Sequence, residues 1–513
     1  MNKQLGYNFA GFLENKDTAV DADVMLLSEN ALIYERAPGG AIASKVNPFK
    51  VRSGWGINME CIDQVLREGD VDEDGSGRDK WIEKMNAQPE HSYMDDMIER
   101  HRLNPNLRLV WVANCLSASV IDNINAIAYM VSNGVRITHV EADNEAYSKG
   151  KYKNFDAYFN KYFTLYYELK QIYPEIKFSV CLAPFNKGIE SHQLWNAGAI
   201  KNKDVFDCVS IHFYYNENVH DDEVGLSNAF EMFPELHSPV DFMEGNEQLQ
   251  NCFELLRNGL FNNGGWENEI EAAKESFPGK PILITEFNTK PAERFCNTLV
   301  NEAWIYTTFL QHDEAIEILC VHNGCAPAGY GRWNRWNKQD GIPVFGQVRR
   351  LGFYAMQLIS EIDEINSFHA ASSPMTIMSA GKFYAYYTNL FNAPIDFIIS
   401  TPVGLKILSP TINYVQGSRL YSSSGSTGWM PKNQPPSYEI DGIEREAFTN
   451  HQLPSFSFGY VCFEVVVDTP PNDTPKPVKP AGWLRKLLQK WFGMRWINQQ
   501  LNPSREISEV SYS

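Results

Sequence analysis

The chain has no paired CxxC spacing, no apolar run long enough to cross a bilayer, no glycine-rich phosphate turn after its first apolar run and, along most of its length, few cations. Each absence removes a class of function. Nine cysteines are scattered through 513 residues without the spacing that zinc or a redox dithiol uses. Cys115, Cys181, Cys208 and Cys320 fall inside apolar runs, so reduced, buried thiols are expected. No stretch approaches the roughly 18 consecutive apolar residues of a membrane helix. The amino-terminal "MNKQLGYNFAGFLENKD" has neither an apolar h-region nor a small-residue cleavage site. The expected location is therefore cytoplasmic, or outside by a non-classical route or as part of an assembly. With 45 Lys and Arg against 63 Asp and Glu, a net charge of −18, the chain is not expected to bind nucleic acid, which needs clustered cations to displace counterions.

What is present is apolar and aromatic, 43% and 13% of residues, enough for a substantial core over several domains. Eight β-prone runs recur: "LGYNFAGF" from Leu5, "NALIYERAP" from Asn30, "LRLVWVANC" from Leu107, "GVRITHVEA" from Gly134, "IKFSVCLAP" from Ile176, "FDCVSIHFYY" from Phe206, "KPILITEFN" from Lys280 and "EAIEILCVHNG" from Glu314. Between them lie stretches such as "NFDAYFNKYFTLYYELKQIYP" and "ERFCNTLVNEAWIYTTFLQHD", with apolar residues every three to four positions. Near-continuous apolar strands separated by amphipathic helices predict a parallel sheet covered by helices, and eight such units predict a (β/α)₈ TIM barrel over residues 1–368. A doubly wound sheet would want a glycine-rich turn where "NFAGFLEN" stands.

After the helix-like "FGQVRRLGFYAMQLISEI" the texture changes. Short alternating stretches broken by turns such as "YSSSGSTGW" predict an antiparallel β-sandwich over 369–468. A proline-rich linker follows at 469–482, then a basic amphipathic tail at 483–513. In that tail Leu484, Leu487, Leu488, Trp491 and Phe492 share one helical face, opposite Arg485, Lys486 and Lys490. Packing on its own barrel, docking to a partner protein or assembly, and lying on a membrane surface all fit that pattern.

In a barrel of this kind, residues at the carboxyl ends of strands carry the chemistry. Glu145 is expected to end the fourth strand and Glu286 the seventh. Two carboxylates facing across the mouth suit glycoside hydrolysis, one protonating the leaving oxygen and the other attacking or activating water. "DVDEDGSGRD" places Asp70, Asp72 and Asp74 like the opening of a calcium loop, but Trp81 stands where the closing glutamate belongs, so a solvated acidic loop is expected and no metal site.

Asn144-Glu145 after strand four and Glu286 after strand seven resemble clan A of the retaining glycoside hydrolases. "ERAPGGAIAS", "VSIHFYY" and "HQLPSFSFGYVCFE" resemble the second strand turn, sixth strand and closing β-domain segment of the arabinofuranosidase, β-xylosidase and heparanase-like (β-glucuronidase) families. The resemblance spans about Leu5 to Val467. It implies double displacement without a cofactor on a carbohydrate substrate, Glu145 as acid/base and Glu286 as nucleophile. It further implies Asn144 on the sugar hydroxyl beside the anomeric carbon, and His212 or Tyr214 positioning Glu286. Arg36 and Asn114 would brace the nucleophile or line the subsite, and Trp333 would offer a face to a sugar ring. The chain departs from the pattern at Asp143, where the families commonly have glycine, and in lacking their extra strands before the barrel and a signal peptide. A like charge at Asp143 is expected to raise the proton affinity of Glu145 or of Asp143 itself. A second reading keeps the barrel as the scaffold of a non-catalytic carbohydrate-binding or structural subunit of a surface complex or phage particle.

Overall fold

A computed structural model describes residues 4–8, 24–29, 31–40, 43, 93–148, 151–216, 254, 256–261, 266–290, 298–311, 314–322, 333–339, 342–349, 351–363, 366–370, 374–418, 420, 422, 440 and 442–468. The acidic run with Asp70, Asp72 and Asp74, the linker and the basic tail lie outside them. All eight predicted runs form strands: β1 (Gln4–Asn8), β2 (Leu32–Ala37), β3 (Leu107–Ala113), β4 (Ile137–Ala142), β5 (Lys177–Cys181), β6 (Cys208–Asn216), β7 (Ile282–Lys290) and β8 (Ile316–Val321). They close in sequence order into a parallel barrel, β1 pairing with both β2 and β8. The predicted (β/α)₈ class is therefore the observed one.

Seven described helices matter here: α1 (Tyr93–Leu103), α2 (Val120–Ser132), α3 (Phe155–Ile172), α4 (Glu190–Lys201), α5 (Trp266–Ser276), α6 (Leu299–Gln311) and α7 (Leu351–Glu361). In α3 the buried residues Phe155, Tyr158, Tyr162, Leu165 and Leu169 recur at three and four, one stripe of a helix, and the Asn154 side chain caps its start by accepting from the Ala157 amide. The outer faces of the strands pack against such stripes. Inside the barrel a separate small cluster, Tyr34, Val110, Cys208, Leu283, Ile318 and Cys320, fills the floor under the mouth. Cys115, Cys181, Cys208 and Cys320 are free and buried, as expected. No helix among the described residues is long and apolar enough to cross a membrane.

One expected helix is partly a strand. "FGQVR" belongs to β10 (Ile342–Arg349), which forms an antiparallel hairpin with β9 (Trp333–Gln339), and α7 begins only at Leu351. Strand pairing in the hairpin overrode the helical spacing. The second domain is a mixed sheet rather than purely antiparallel. Its order is β11 (Ser367–His369), β13 (Gly381–Asn389), β19 (Ser457–Val467), β16 (Leu405–Gln416), β17 (Glu444–Ala447), with β11 parallel to β13. Two short pairs, β12 (Met375–Thr376) with β15 (Ile399–Ser400) and β14 (Ile395–Asp396) with β18 (Gln452–Leu453), sit with it around a core including Phe397, Phe448, Val461 and Phe463.

The sheet and the barrel share a core. Tyr384, Tyr386, Val415 and Phe458 join the same apolar cluster as the barrel helices. Tyr306 of α6 donates to the Gly459 carbonyl at 2.8 Å. Glu361 at the end of α7 accepts from Arg445 at 2.6 Å and from Tyr460 at 2.7 Å. A side chain at Gly459 would meet the Asn413 carbonyl at 2.1 Å, so the close pairing of β16 and β19 requires glycine there.

Candidate active site at the barrel mouth

Strand alternation places side chains, and two departures from it build the site. In β4, Val140 and Ala142 face the helices, leaving His139 and Glu141 for the lumen. In β7, Ile282, Ile284 and Phe287 all pack outward, an odd step that a register shift between Ile284 and Phe287 accommodates. That irregularity turns Glu286 inward, where it lies beside its register partner His212 on β6. Glu286 thus sits inside a nine-residue strand that runs on to Lys290, not at its end as predicted. Glu145 follows the end of β4 by three residues, in a turn where Asp143 (φ 63°) and Glu145 (φ 45°) both adopt left-handed backbone.

Arg36 from β2 is the hub. Its guanidinium is fully buried, and each of its five N–H groups has an acceptor. Nε donates to Glu141 Oε2 at 3.3 Å. Nη1 donates to Glu286 Oε1 at 2.6 Å and Asn8 Oδ1 at 3.2 Å. Nη2 donates to Glu141 Oε1 at 2.5 Å and Asn144 Oδ1 at 2.9 Å. Because an arginine can only donate, these bonds fix the Asn8 and Asn144 amides. Asn8 Nδ2 then donates to His322 Nδ1, 3.2 Å away, and Asn144 is left with its amino group as the end that can reach a ligand.

His212 stands among three carboxylates. Nδ1 lies 3.2 Å from Glu145 Oε1 and 3.7 Å from Glu286 Oε2, and Nε2 lies 3.5 Å from Glu141 Oε1. Burial opposes a charged ring, but Glu286, Glu141 and Glu145 outweigh it and raise the imidazolium to about 9. Burial likewise opposes ionisation of Glu286, and the charges of His212 and Arg36 with the Tyr214 hydrogen bond hold it at about 2. Glu141 is held at about 2 against its own burial by Arg36 and His212. Glu145 is held at about 2 despite burial by its hydrogen bond to His212. The Tyr214 hydroxyl donates to Glu286 Oε2 at 2.6 Å, and Tyr147 donates to Glu145 Oε1 at 3.2 Å.

These shifts predict a two-sided pH dependence of stability. Carboxylates lowered in the fold contribute stability that is present above their ordinary value of 4.5 and is lost as pH falls through about 2. A histidine raised from 6.5 to about 9 contributes stability that is present below 6.5 and is lost as pH rises through 9. The melting temperature is therefore expected to be highest between these windows and to fall on both flanks. His212→Asn should flatten the alkaline flank. An alkaline flank that survives the substitution would assign it elsewhere.

Of the predicted site residues, the fold brings Glu145, Glu286, Asn144, Arg36, His212 and Tyr214 together. Asn114 follows β3, its side chain bonded to Ser117 at 2.8 and 2.9 Å and its backbone to Asn123. Trp333 opens β9 opposite Arg349, and its side chain lies outside the described residues. Asp143 corrects an expectation: it does not confront Glu145. Its carboxylate accepts from the Cys115 amide at 2.8 Å, the Leu116 amide at 3.2 Å and the Tyr152 hydroxyl. Burial raises its pKa, against those donors and Lys151. Sequence reasoning missed Glu141, Asn8, His322 and Tyr147. Glu141 was detectable, since a carboxylate within the apolar run "ITHVEA" must find a cation, and Arg36 is another charge in the same predicament.

No protein-family model matches this sequence, and no curated protein matches it either. Solved structures do match in fold. The family 51 α-L-arabinofuranosidase from Bifidobacterium longum superposes with a TM-score of 0.54 at 11% identity, covering 91% of this chain and 96% of that one. The enzyme from Thermotoga petrophila RKU-1 gives 0.52 at 14% identity over 91% and 97% of the two chains. The arabinose complex of the Thermotoga maritima enzyme gives 0.50 at 13% identity over 91% and 96%.

Proposed function

We propose that this chain is a retaining glycoside hydrolase that cleaves an O-glycosidic bond by double displacement. The observation that carries the reading is the spacing of its two mouth carboxylates: an oxygen of Glu145, an oxygen of Glu286 and a nitrogen of His212 all lie within 4.8 Å of one another. Carboxyl groups of a retaining pair stand about 5–5.5 Å apart, whereas those of an inverting pair leave about 6.5–9.5 Å for a water, and so close an approach of single oxygens suits the shorter separation. The fold likeness to arabinofuranosidases agrees with this reading, and the site geometry is compatible with the roles that follow.

Glu286 is the nucleophile. Arg36 and Tyr214 hold its two oxygens, so it stays ionised and aimed without reorganising during attack. Glu145 is the acid and then the base. Its proton resides on His212, across a 3.2 Å hydrogen bond. The Glu145 side chain is 35% exposed, and a sugar covering it would remove water and favour the uncharged pair, moving that proton onto Glu145. Attack on the anomeric carbon then breaks the bond to the leaving oxygen as Glu145 delivers the proton. Water, deprotonated by Glu145, next displaces Glu286 and releases the sugar. The Asn144 amino group, oriented by Arg36, donates to the neighbouring sugar hydroxyl.

Peptide mapping after exposure to a panel of activated 2-deoxy-2-fluoro glycosides tests the proposal. A covalent adduct on Glu286 is expected, and the labelling sugar identifies the substrate class. Folded protein that binds sugars in the panel yet carries no adduct would favour a carbohydrate-binding subunit instead.

A further inference from the structure

We infer that Asp143 is a positioning residue for the acid, a role that rests on the proposed reaction. Three features meet at this residue. Its backbone is left-handed at φ 63°, as is that of Glu145 at φ 45°, so the turn adopts a conformation that side chains rarely take and something must hold it there. Its side chain supplies the hold: it reaches away from the mouth to two consecutive amides of the loop after β3 and to Tyr152 just before α3. Around it the turn is tied again, Asp143 N donating to the Ala113 carbonyl at 2.9 Å, Lys151 to the Asn144 carbonyl at 2.8 Å and Tyr158 to the Ala142 carbonyl at 3.0 Å.

Asp143 is 1% exposed and its carboxylate is held by Cys115, Leu116 and Tyr152, so it is not a third acid facing the sugar. What it determines is where Glu145 points. A glycine would tolerate the same φ but would leave the Cys115 and Leu116 amides without their acceptor and the turn free to relax. Relaxation would swing the Glu145 carboxyl from His212, its proton source, while Glu286 on β7 kept its bonds to Arg36 and Tyr214. The consequence is confined to proton transfer. Asparagine keeps the acceptor oxygen, tolerates left-handed backbone and can donate to the Tyr152 oxygen, so it should restore the anchor.

The test uses the full chain and a series of aryl glycosides, differing in leaving-group acidity, of the sugar that labels Glu286. kcat/KM reports the first chemical step, and its dependence on leaving-group pKa reports how much proton assistance that step receives. D143G is expected to lose about 10–100-fold on phenols of high pKa and less than about 3-fold on dinitrophenolate, steepening the dependence. D143N should stay within about 3-fold throughout and keep the wild-type slope. Should D143G fail to fold, Tyr152→Phe, which removes one anchor, should steepen the slope in the same direction. A uniform loss across the series in every folded variant would overturn the positioning role while leaving the glycosidase reading intact. A wild-type chain that neither turns over any glycoside nor is labelled at Glu286 would overturn both.

Discussion

Replacing Glu286 by glycine is expected to lower turnover by about four orders of magnitude or more, because in the proposed double displacement the step that forms the covalent intermediate loses its nucleophile rather than an assistant to it. Azide then separates the two carboxylate roles. In Glu286→Gly the small anion can occupy the vacated space and attack the anomeric carbon of an activated glycoside, releasing a glycosyl azide of inverted configuration. In Glu145→Gly the intermediate still forms on Glu286 from a substrate with a good leaving group, and azide replaces water in the second step, so the product retains its configuration. The configuration is read by NMR of the isolated product. Retention from the Glu286 variant and inversion from the Glu145 variant would exchange the assignments, and no azide product from either would count against a covalent route.

The second large effect is on stability. Arg36→Met should destabilise the fold by about 3–5 kcal/mol, since it leaves Glu141 and Glu286 buried without their cation. Much of that cost is uncompensated charge rather than lost attraction. A double variant, Arg36→Met with Glu141→Gln, should therefore recover part of the loss, and the coupling can be measured by denaturant titration of all four proteins. If Arg36→Met unfolds at the wild-type midpoint, the ion cluster contributes nothing to the fold.

The barrel was legible because its strands are buried on both faces and so read as apolar runs, in an order the parallel topology preserves. Glu145 and Asn144 were legible for a related reason: the run ends where they begin. Glu286 was found for a partly mistaken reason. It appeared to end β7, whereas a register irregularity turns it inward midway along a longer strand, and no local propensity announces which residue will absorb a bulge. His212 and Tyr214 alternate on β6 and could be placed on one face. Asn8 and His322 could not be assigned, because their roles depend on which donors surround them. Asn8 is fixed by Arg36 and in turn supplies His322, a relay visible only once β1, β2 and β8 are adjacent. Asn114 bonds the serine three residues on, the ordinary behaviour of asparagine at a turn.

The apolar cluster that runs from the barrel helices into the β-sheet has a consequence for how the molecule comes apart. With Tyr306, Gly459, Glu361, Arg445 and Tyr460 joining the two, heat should melt them in one step, and a chain cut after residue 368 would present the naked backs of α6 and α7 to water. The smallest piece that can be expressed as a folded barrel therefore includes the sheet, although among the described residues no atom of the sheet bonds Glu286.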